Sequence, residues 1–385
     1  MVKKVAIFTG NRAEYGLLHP VIRYAATDQA LETQLLISGS HLIPEFGMTV
    51  SEIDDNGIDN IVAIPLPERQ ADEKETMLAG FAAIVERGSS LLKKLRPEMI
   101  LLAGDRFETF AMAVAAFYMN VPIAHLFGGD LSQGGHLDDS ARHSITKLAH
   151  LHFTTNDDSF RRVIALGEER WRVFNVGSPQ MDNVVSGDYS LPDEIAGLLD
   201  IDADRPLILF TQHPITTESE SAYDQAWESL AALKQLGYQT IITYPCNDAG
   251  SEGIIRAINE YADTPFFRVR KSLGRRLYLG CLRIASCVVG NSSSGLMETP
   301  LFKIPAVNIG NRQAGRLKVE NVIDVPCQRE RIMEAIRQAV EDESFRHQAR
   351  NCTNPYGEGG ASRRIWEIVK AMDDRGRLLK KQMTY

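Results

Sequence analysis

Residues 125–152 read HLFGGDLSQGGHLDDSARHSITKLAHLH, with three aspartates, five histidines, two Gly-Gly pairs and an arginine. His125 closes the apolar run PIAHLF, and Gly128-Gly129 lets the backbone turn sharply before Asp130. Asp138 and Asp139 each suit the N-cap of the helical pattern SARHSITKLAHLH, where His143, Lys147 and His150 share one face. A metal site is not expected, because Lys147 stands at i+4 from His143 and no His-x-x-x-His pair results. His150 and His152 read as polar packing in an interdomain wall. Upstream, AGDRFE (103–108) puts Asp105 after the flexible Gly104 at the end of another apolar run. Asp105 is either a helix N-cap or a site acid, and its neighbour Arg106 favours the second reading. Strand ends that deliver Asp105, Asp130 and Asp138 to one cleft would displace their pKa values, making one carboxylate a base while another stays protonated.

A second set of residues suits anion chemistry. TGNRAEYG (9–16) is not GxGxxG, so no dinucleotide cofactor is indicated. Its Arg12 is either a surface residue on a turn or a planar donor fork for a diphosphate. FTQHP (210–214) places His213 directly after an apolar run, positioned to donate to a phosphate or shuttle a proton. YPCNDAGS (244–251) carries Asp248 in a strand-end loop. VVGNSSSGLMET (288–299) runs from a buried strand through three serines into a helix expected to begin near Gly295. Three serines exceed what one cap needs. The free N–H groups and the positive helix end then suit a phosphate, with Ser292 and Ser293 as added donors. Glu298, one turn in, is placed for ribose hydroxyls, and GNRQAGR (310–316) adds Arg312 and Arg316. Carboxylates in one half and a diphosphate site in the other fit a nucleoside-diphosphate sugar.

The elements that must carry these residues alternate. VAIFTG (5–10), TQLLIS (33–38), MILLAG (99–104) and PIAHLF (122–127) read as buried parallel strands, with helices over 74–95 and 107–118. LILFT (207–211), TIITY (240–244), FFRVR (266–270), IASCVVG (284–290) and PAVNIG (305–310) form a second series. Such alternation means an α/β fold with parallel sheets. The 385 residues favour two domains, and the polar, turn-rich stretch 186–206 is the expected boundary. A ligand is expected in the cleft between two doubly wound halves, outside the carboxyl ends of the strands. Residues 361–381 read as a basic helix after the glycine-rich YGEGG.

Bulk composition narrows the class. Hydrophobic residues make up 44% and charged residues 24%, as in soluble globular proteins, and a net charge of −8 argues against a nucleic-acid partner. Five cysteines with no CxxC spacing favour reduced thiols and a cytoplasmic location. The N-terminus reaches Asn11, Arg12 and Glu14 too soon for a secretion signal. The most apolar region, 110–127, is broken by Asn120, Pro122 and His125, so no membrane partner is expected.

With these blocks in order, the chain resembles the UDP-N-acetylglucosamine 2-epimerase family, in the hydrolysing branch that supplies precursors of sialic and related nonulosonic acids. The markers are NRAEYG (11–16), GDRFE (104–108), GGD…DDSARHSITKLAH (128–150), HPITTE (213–218), DAGS (248–251), GNSSSG (290–295), GNRQAGR (310–316) and YGEGG (356–360). They span nearly the whole chain. The resemblance implies the GT-B fold, with two Rossmann-like domains whose parallel sheets face across a cleft. Residues 1–188 would carry the sugar-side carboxylates, 189–360 would bind UDP, and helix 361–385 would cross back to the first domain.

For the chemistry, the resemblance implies that UDP-N-acetylglucosamine is cleaved to UDP and N-acetylmannosamine through a glycal, without a cofactor. Asp105 and Asp138 would be the acid–base carboxylates, with His213 assisting near the diphosphate and Arg12 and Arg106 as charge partners. Ser292, Ser293 and Glu298 would hold phosphate and ribose, and Arg312 the phosphate–nucleoside region. Asp139, Arg142 and Asp248 complete the expected substrate-binding set. The chain departs from the pattern at Phe127, where some members carry glutamate, which leaves Asp130 as the nearest acid. The loop before Asp138 looks about two residues longer than the family pattern, and Cys246 stands where asparagine is frequent. A Phe127 facing the sugar would suit a UDP- or GDP-linked 2,4-diacetamido-2,4,6-trideoxy sugar of a legionaminic acid route, and GDP-N-acetylglucosamine is a further variant. A non-hydrolysing epimerase, a GT-B glycosyltransferase and a non-catalytic nucleotide-sugar sensor are the competing classes. The apolar helices of the first domain suggest a homodimer or homotetramer.

Overall fold

The computed structural model describes residues 2–42, 53, 57–68, 73–131, 137–202, 204–245 and 250–385. They form two compact units: one of residues 2–131, 137–183 and 356–385, the other of residues 184–355.

The first unit is built on a seven-stranded parallel sheet. Its strands are β1 (Lys3–Thr9), β2 (Leu31–Ile37), β3 (Ile61–Ala63), β4 (Met99–Ala103), β5 (Ile123–Leu126), β6 (Leu151–Thr154) and β7 (Val173–Asn175). Their order is β3-β2-β1-β4-β5-β6-β7, so the winding reverses between β1 and β4. Alternate residues feed opposite cores. Val5 and Ile7 pack with Leu18, Ile22 and Trp366, from helices Arg12–Thr27 and Ala361–Ala371. Ala6 and Phe8 pack with Ile84, Ala111 and Met112, from helices Glu73–Leu95 and Phe107–Tyr118. Burial on both faces is why these strands read as unbroken apolar runs.

The second unit holds a six-stranded parallel sheet of β8 (Leu207–Thr211), β9 (Gln239–Thr243), β10 (Phe267–Arg270), β11 (Cys287–Gly290), β12 (Ala306–Ile309) and β13 (Val322–Val325). The order β10-β9-β8-β11-β12-β13 reverses between β8 and β11. One face is covered by helices Ala222–Leu236, Ser251–Tyr261 and Arg329–Glu341, the other by Pro192–Leu199 and Gly274–Ile284.

Several local expectations change. The turn-rich stretch 186–206 contains the helix Pro192–Leu199, whose Ile195 and Leu199 are buried. Residues 284–290 are not one strand, because the preceding helix continues to Ile284. The expected C-terminal helix is two, Ala361–Ala371 and Arg375–Leu379. Among the described residues, no helix is long and apolar enough to cross a membrane.

Candidate active site

Both sheets reverse their winding at the points where the sequence places its chemistry, as ligand sites of open α/β sheets require. In the first unit the turn after β4 carries Asp105 and Arg106. Arg106, not Asp105, caps the helix Phe107–Tyr118, and it makes no side-chain cap bond. Asp105 is thereby released from the structural reading and ion-pairs with the buried Arg142.

Arg142 comes from the helix Leu137–Leu148, in which Asp138 and Asp139 occupy the first turn instead of the cap position. Its Nη1 donates to Asp139 Oδ1 at 2.9 Å and to the Asp130 carbonyl at 2.6 Å. Arg106 Nη1 lies 4.0 Å from Asp138 Oδ2. Asp105, Arg106, Asp138, Asp139 and Arg142 are thus brought together. Asp130 joins them through its backbone carbonyl, and its Oδ1 accepts from Thr155 Oγ1 at 2.9 Å and Ser159 Oγ at 2.6 Å. Those bonds give its carboxylate a framework to hold.

His125 is fully buried. Its Nε2 donates to the Gly104 carbonyl at 2.8 Å, and Thr146 Oγ1 of the helix Leu137–Leu148 lies 3.3 Å from its Nδ1. Burial lowers its pKa to about 3, so the ring is neutral and holds the turn before Asp105. Phe127 is a core residue, 6% exposed and clustered with Tyr15 and Trp366. Its φ of +65° is a left-handed conformation that a bulky residue rarely adopts. His150 lies beyond the helix end, and His152 is buried on β6 with Nε2 3.0 Å from Glu168 Oε2, so the histidine face expected over 143–150 does not form.

Arg12 is the first residue of the helix after β1, which Asn11 caps by accepting from the Glu14 amide at 3.0 Å. Against Gly10, at the end of β1, lie two buried acids that sequence reasoning passed over, although both stand inside marker blocks. Glu14 accepts from the Gly10 amide at 2.8 Å and Thr109 Oγ1 at 2.6 Å. Burial raises its pKa to about 8 and that of Glu108 to about 7.

In the second unit, the turns after β8, β11 and β12 converge. Asn291 binds the backbone of His213 on both sides. Its Oδ1 accepts from the His213 amide at 2.6 Å, and its Nδ2 donates to the His213 carbonyl at 2.9 Å. The Asn291 carbonyl accepts from Arg312 Nη1 at 3.2 Å and from Gln313 Nε2 at 2.7 Å. His213 and Arg312 are therefore both tied to the serine loop. Among the described residues, no group accepts from the Ser292 or Ser293 amide. The helix beyond is shorter than expected: Ser294–Met297, followed by Thr299–Phe302. The anion reading therefore rests on these two amides and the hydroxyls more than on a long helix dipole.

Glu298 is buried, accepts from the Ser294 hydroxyl, and has its pKa raised by burial. Tyr278, a residue with no sequence signal, has its phenol near Ser292, Ser294 and Thr211, and burial raises its pKa. Asp248 and Cys246, and residues 132–136 of the loop before Asp138, lie outside the described residues.

Comparison with known proteins decides what this frame belongs to. The model of the UDP-N-acetylglucosamine 2-epimerase family matches residues 24–370. The chain belongs to the hydrolysing UDP-N-acetylglucosamine 2-epimerase family. It is similar to the UDP-N,N'-diacetylbacillosamine 2-epimerase (hydrolyzing) of Legionella pneumophila, at 32% identity over 100% of both chains. It is also similar to the GDP/UDP-N,N'-diacetylbacillosamine 2-epimerase (hydrolyzing) of Campylobacter jejuni, at 33% identity over 84% of each. Among solved structures, UDP-GlcNAc 2-epimerase from Neisseria meningitidis bound to UDP-GlcNAc matches with a TM-score of 0.81 at 18% identity, covering 95% of this chain and 99% of that one. The fold of this family member is accordingly GT-B-type α/β.

Proposed function

We propose that the protein hydrolyses a UDP-linked 2-acetamido sugar with inversion at C2, and that the sugar is N,N'-diacetylbacillosamine. The observation that carries the reaction type is the pairing of Asp105 with buried Arg142 beside Asp138 and Asp139 at a sheet switch point. The choice of sugar draws on the Legionella and Campylobacter relatives.

The C2 proton of such a sugar is not acidic by itself. As the C1–O bond to the diphosphate breaks, C1 becomes oxocarbenium-like and C2–H is acidified. Asp105, paired with the Arg142 guanidinium, takes that proton, and UDP leaves with the bonding pair. The product is a glycal with a C1–C2 double bond. Asp138, protonated beforehand, then gives its proton to C2 from the other face while water adds at C1, and the proton that the water loses restores Asp138 as Asp105 releases its own to solvent. The sum is nucleotide sugar plus water to UDP plus the free 2-epimer, with no change of oxidation state and no cofactor. In the second unit, the Ser292 and Ser293 amides and hydroxyls would receive the diphosphate, with His213 and Arg312 offsetting its charge and Glu298 holding the ribose. Arg106 would restrain Asp138.

A second reading, the same reaction on UDP-N-acetylglucosamine, is supported by the fold match to the Neisseria enzyme. The test is incubation with each nucleotide sugar in D₂O, followed by NMR of the products. The expected outcome is UDP and a free sugar inverted at C2 and carrying deuterium there, formed faster from the diacetamido substrate. A released sugar that keeps its C2 hydrogen would overturn the mechanism. A nucleotide-linked epimer without UDP would move the protein to the non-hydrolysing class. Release of UDP only when an acceptor is added would make it a glycosyltransferase.

A further inference from the structure

The helix Leu137–Leu148 ends with carbonyls that no later turn of the same helix can satisfy. They are met from the C-terminal tail. Lys381 Nζ lies 3.3 Å from the Thr146 carbonyl, 2.7 Å from that of Lys147 and 2.8 Å from that of Ala149. Its remaining partner is Glu168 Oε2, at 2.6 Å. The Glu168 side chain is fully buried, and it also accepts from Lys147 Nζ at 2.6 Å. The tail is put there by Arg172, another fully buried side chain. Arg172 Nη1 donates to the Leu378 carbonyl at 2.8 Å, and Nη2 to those of Arg377 and Lys380 at 3.1 and 3.2 Å.

A cation at a helix C-terminus is favourable on general grounds, but this one is delivered from more than 230 residues away. The helix it closes carries Asp138, Asp139 and Arg142. Thr146, whose carbonyl it holds, is also the residue beside His125, and His125 holds Gly104 directly before Asp105. The tail therefore reaches both carboxylate-bearing elements of the first unit.

We propose that Lys381 is a positioning residue for the epimerase reaction, a clamp from the C-terminal tail that fixes the helix of Asp138 and Arg142 against the turn of Asp105. The proposal rests on the catalytic reading of those carboxylates given above. It does not make Lys381 a catalytic residue, since its ammonium group is filled by three carbonyls and a carboxylate. What it supplies is geometry, and a misplacement of about 1 Å costs roughly a hundredfold in rate.

Three variants separate positioning from simple stabilisation. Lys381→Met removes the clamp, Lys381→Arg keeps charge and donors, and Arg375→Ala removes a tail anchor, the 2.8 Å bond to the Asn120 carbonyl, that does not touch the helix. Lys381→Met should lower kcat about tenfold or more with KM within about twofold, because the groups proposed to hold the nucleotide are untouched. Amides of residues 137–148 should exchange faster with solvent, Lys381→Arg should recover most of the rate, and Arg375→Ala should match the wild type. Wild-type kcat in Lys381→Met would overturn the proposal, as would equal losses in Lys381→Met and Arg375→Ala that track their melting temperatures. Should Lys381→Met not fold, Glu168→Gln is read by the same criteria. If the wild type turns over no nucleotide sugar, the proposed function fails. Hydrogen exchange then still decides the clamp, and unchanged exchange over 137–148 in Lys381→Met would refute it.

Discussion

At the scale of single residues, the first unit sorts its acids by environment. Asp105 sits against a guanidinium, which favours its charged form. Asp105→Asn keeps the shape and loses the base, so kcat should fall by roughly 10²–10⁴, while UDP affinity measured by calorimetry stays within about twofold. Glu14 and Glu108 are the opposite case, since burial raises them to about 8 and about 7 from an ordinary 4.5. Between those values the folded state keeps protons that the unfolded chain has released. Their contribution to stability is therefore present below pH 4.5 and is lost as pH rises through 7 to 8. Glu14→Gln retains an acceptor for the Gly10 amide and a partner for Thr109, without a charge to bury. Urea unfolding should find the variant level with wild type near pH 4 and more stable at pH 8.5, by an amount on the order of 1 kcal/mol or more. No gain at pH 8.5 would mean that Glu14 is ionised at little cost in the fold.

At the scale of elements, what could be read in the sequence follows how each strand is buried. The central strands, buried on both faces, announce themselves as VAIF, ILLA and LILF. β3, β7 and β13 lie at sheet edges, are three or four residues long and are partly exposed, so IVA, VFN and VIDV give no period to detect. β6 is hidden for a different reason: LHFT places a histidine in the core, where only Glu168, 16 residues on, makes it tolerable. The same distinction governs the site. Asp105, His213 and the serines are visible because they follow apolar runs directly. The burial of Arg142, and the roles of Tyr278 and Lys381, depend on partners far along the chain, and no local pattern encodes those. One local feature is strict. Gly290 ends β11 at φ +131°, and a Cβ there would lie 2.0 Å from the Thr211 carbonyl oxygen. Gly290→Ala should displace the Asn291–His213 pairing, lowering UDP affinity at least tenfold by calorimetry while Asp105 and its helix are untouched. Unchanged affinity would separate the serine loop from nucleotide binding.

At the scale of the whole molecule, the first unit is closed by chain ends. Lys3, near the N-terminus, donates to the Val369 and Met372 carbonyls at 2.9 and 2.6 Å, capping the helix Ala361–Ala371 much as Lys381 caps the helix of the carboxylates. That C-terminal helix covers one face of the first sheet through Ile365, Trp366 and Val369, all fully buried. Trp366 also donates from Nε1 to the Val21 carbonyl at 2.8 Å. Residues 356–385 thus complete a core whose other side chains come from the first half of the chain. Trp366→Ala empties a large volume and orphans a buried carbonyl, a change that typically costs 3–5 kcal/mol. Because Trp366 packs only in the first unit's core, the loss should be local. Hydrogen exchange should show β1 and β4 losing protection by two to three orders of magnitude, while β8 and β11 keep theirs. Equal loss in both sheets would mean that the two units unfold as one cooperative body. In that case tail substitutions such as Lys381→Met would have to be judged by kcat at matched stability.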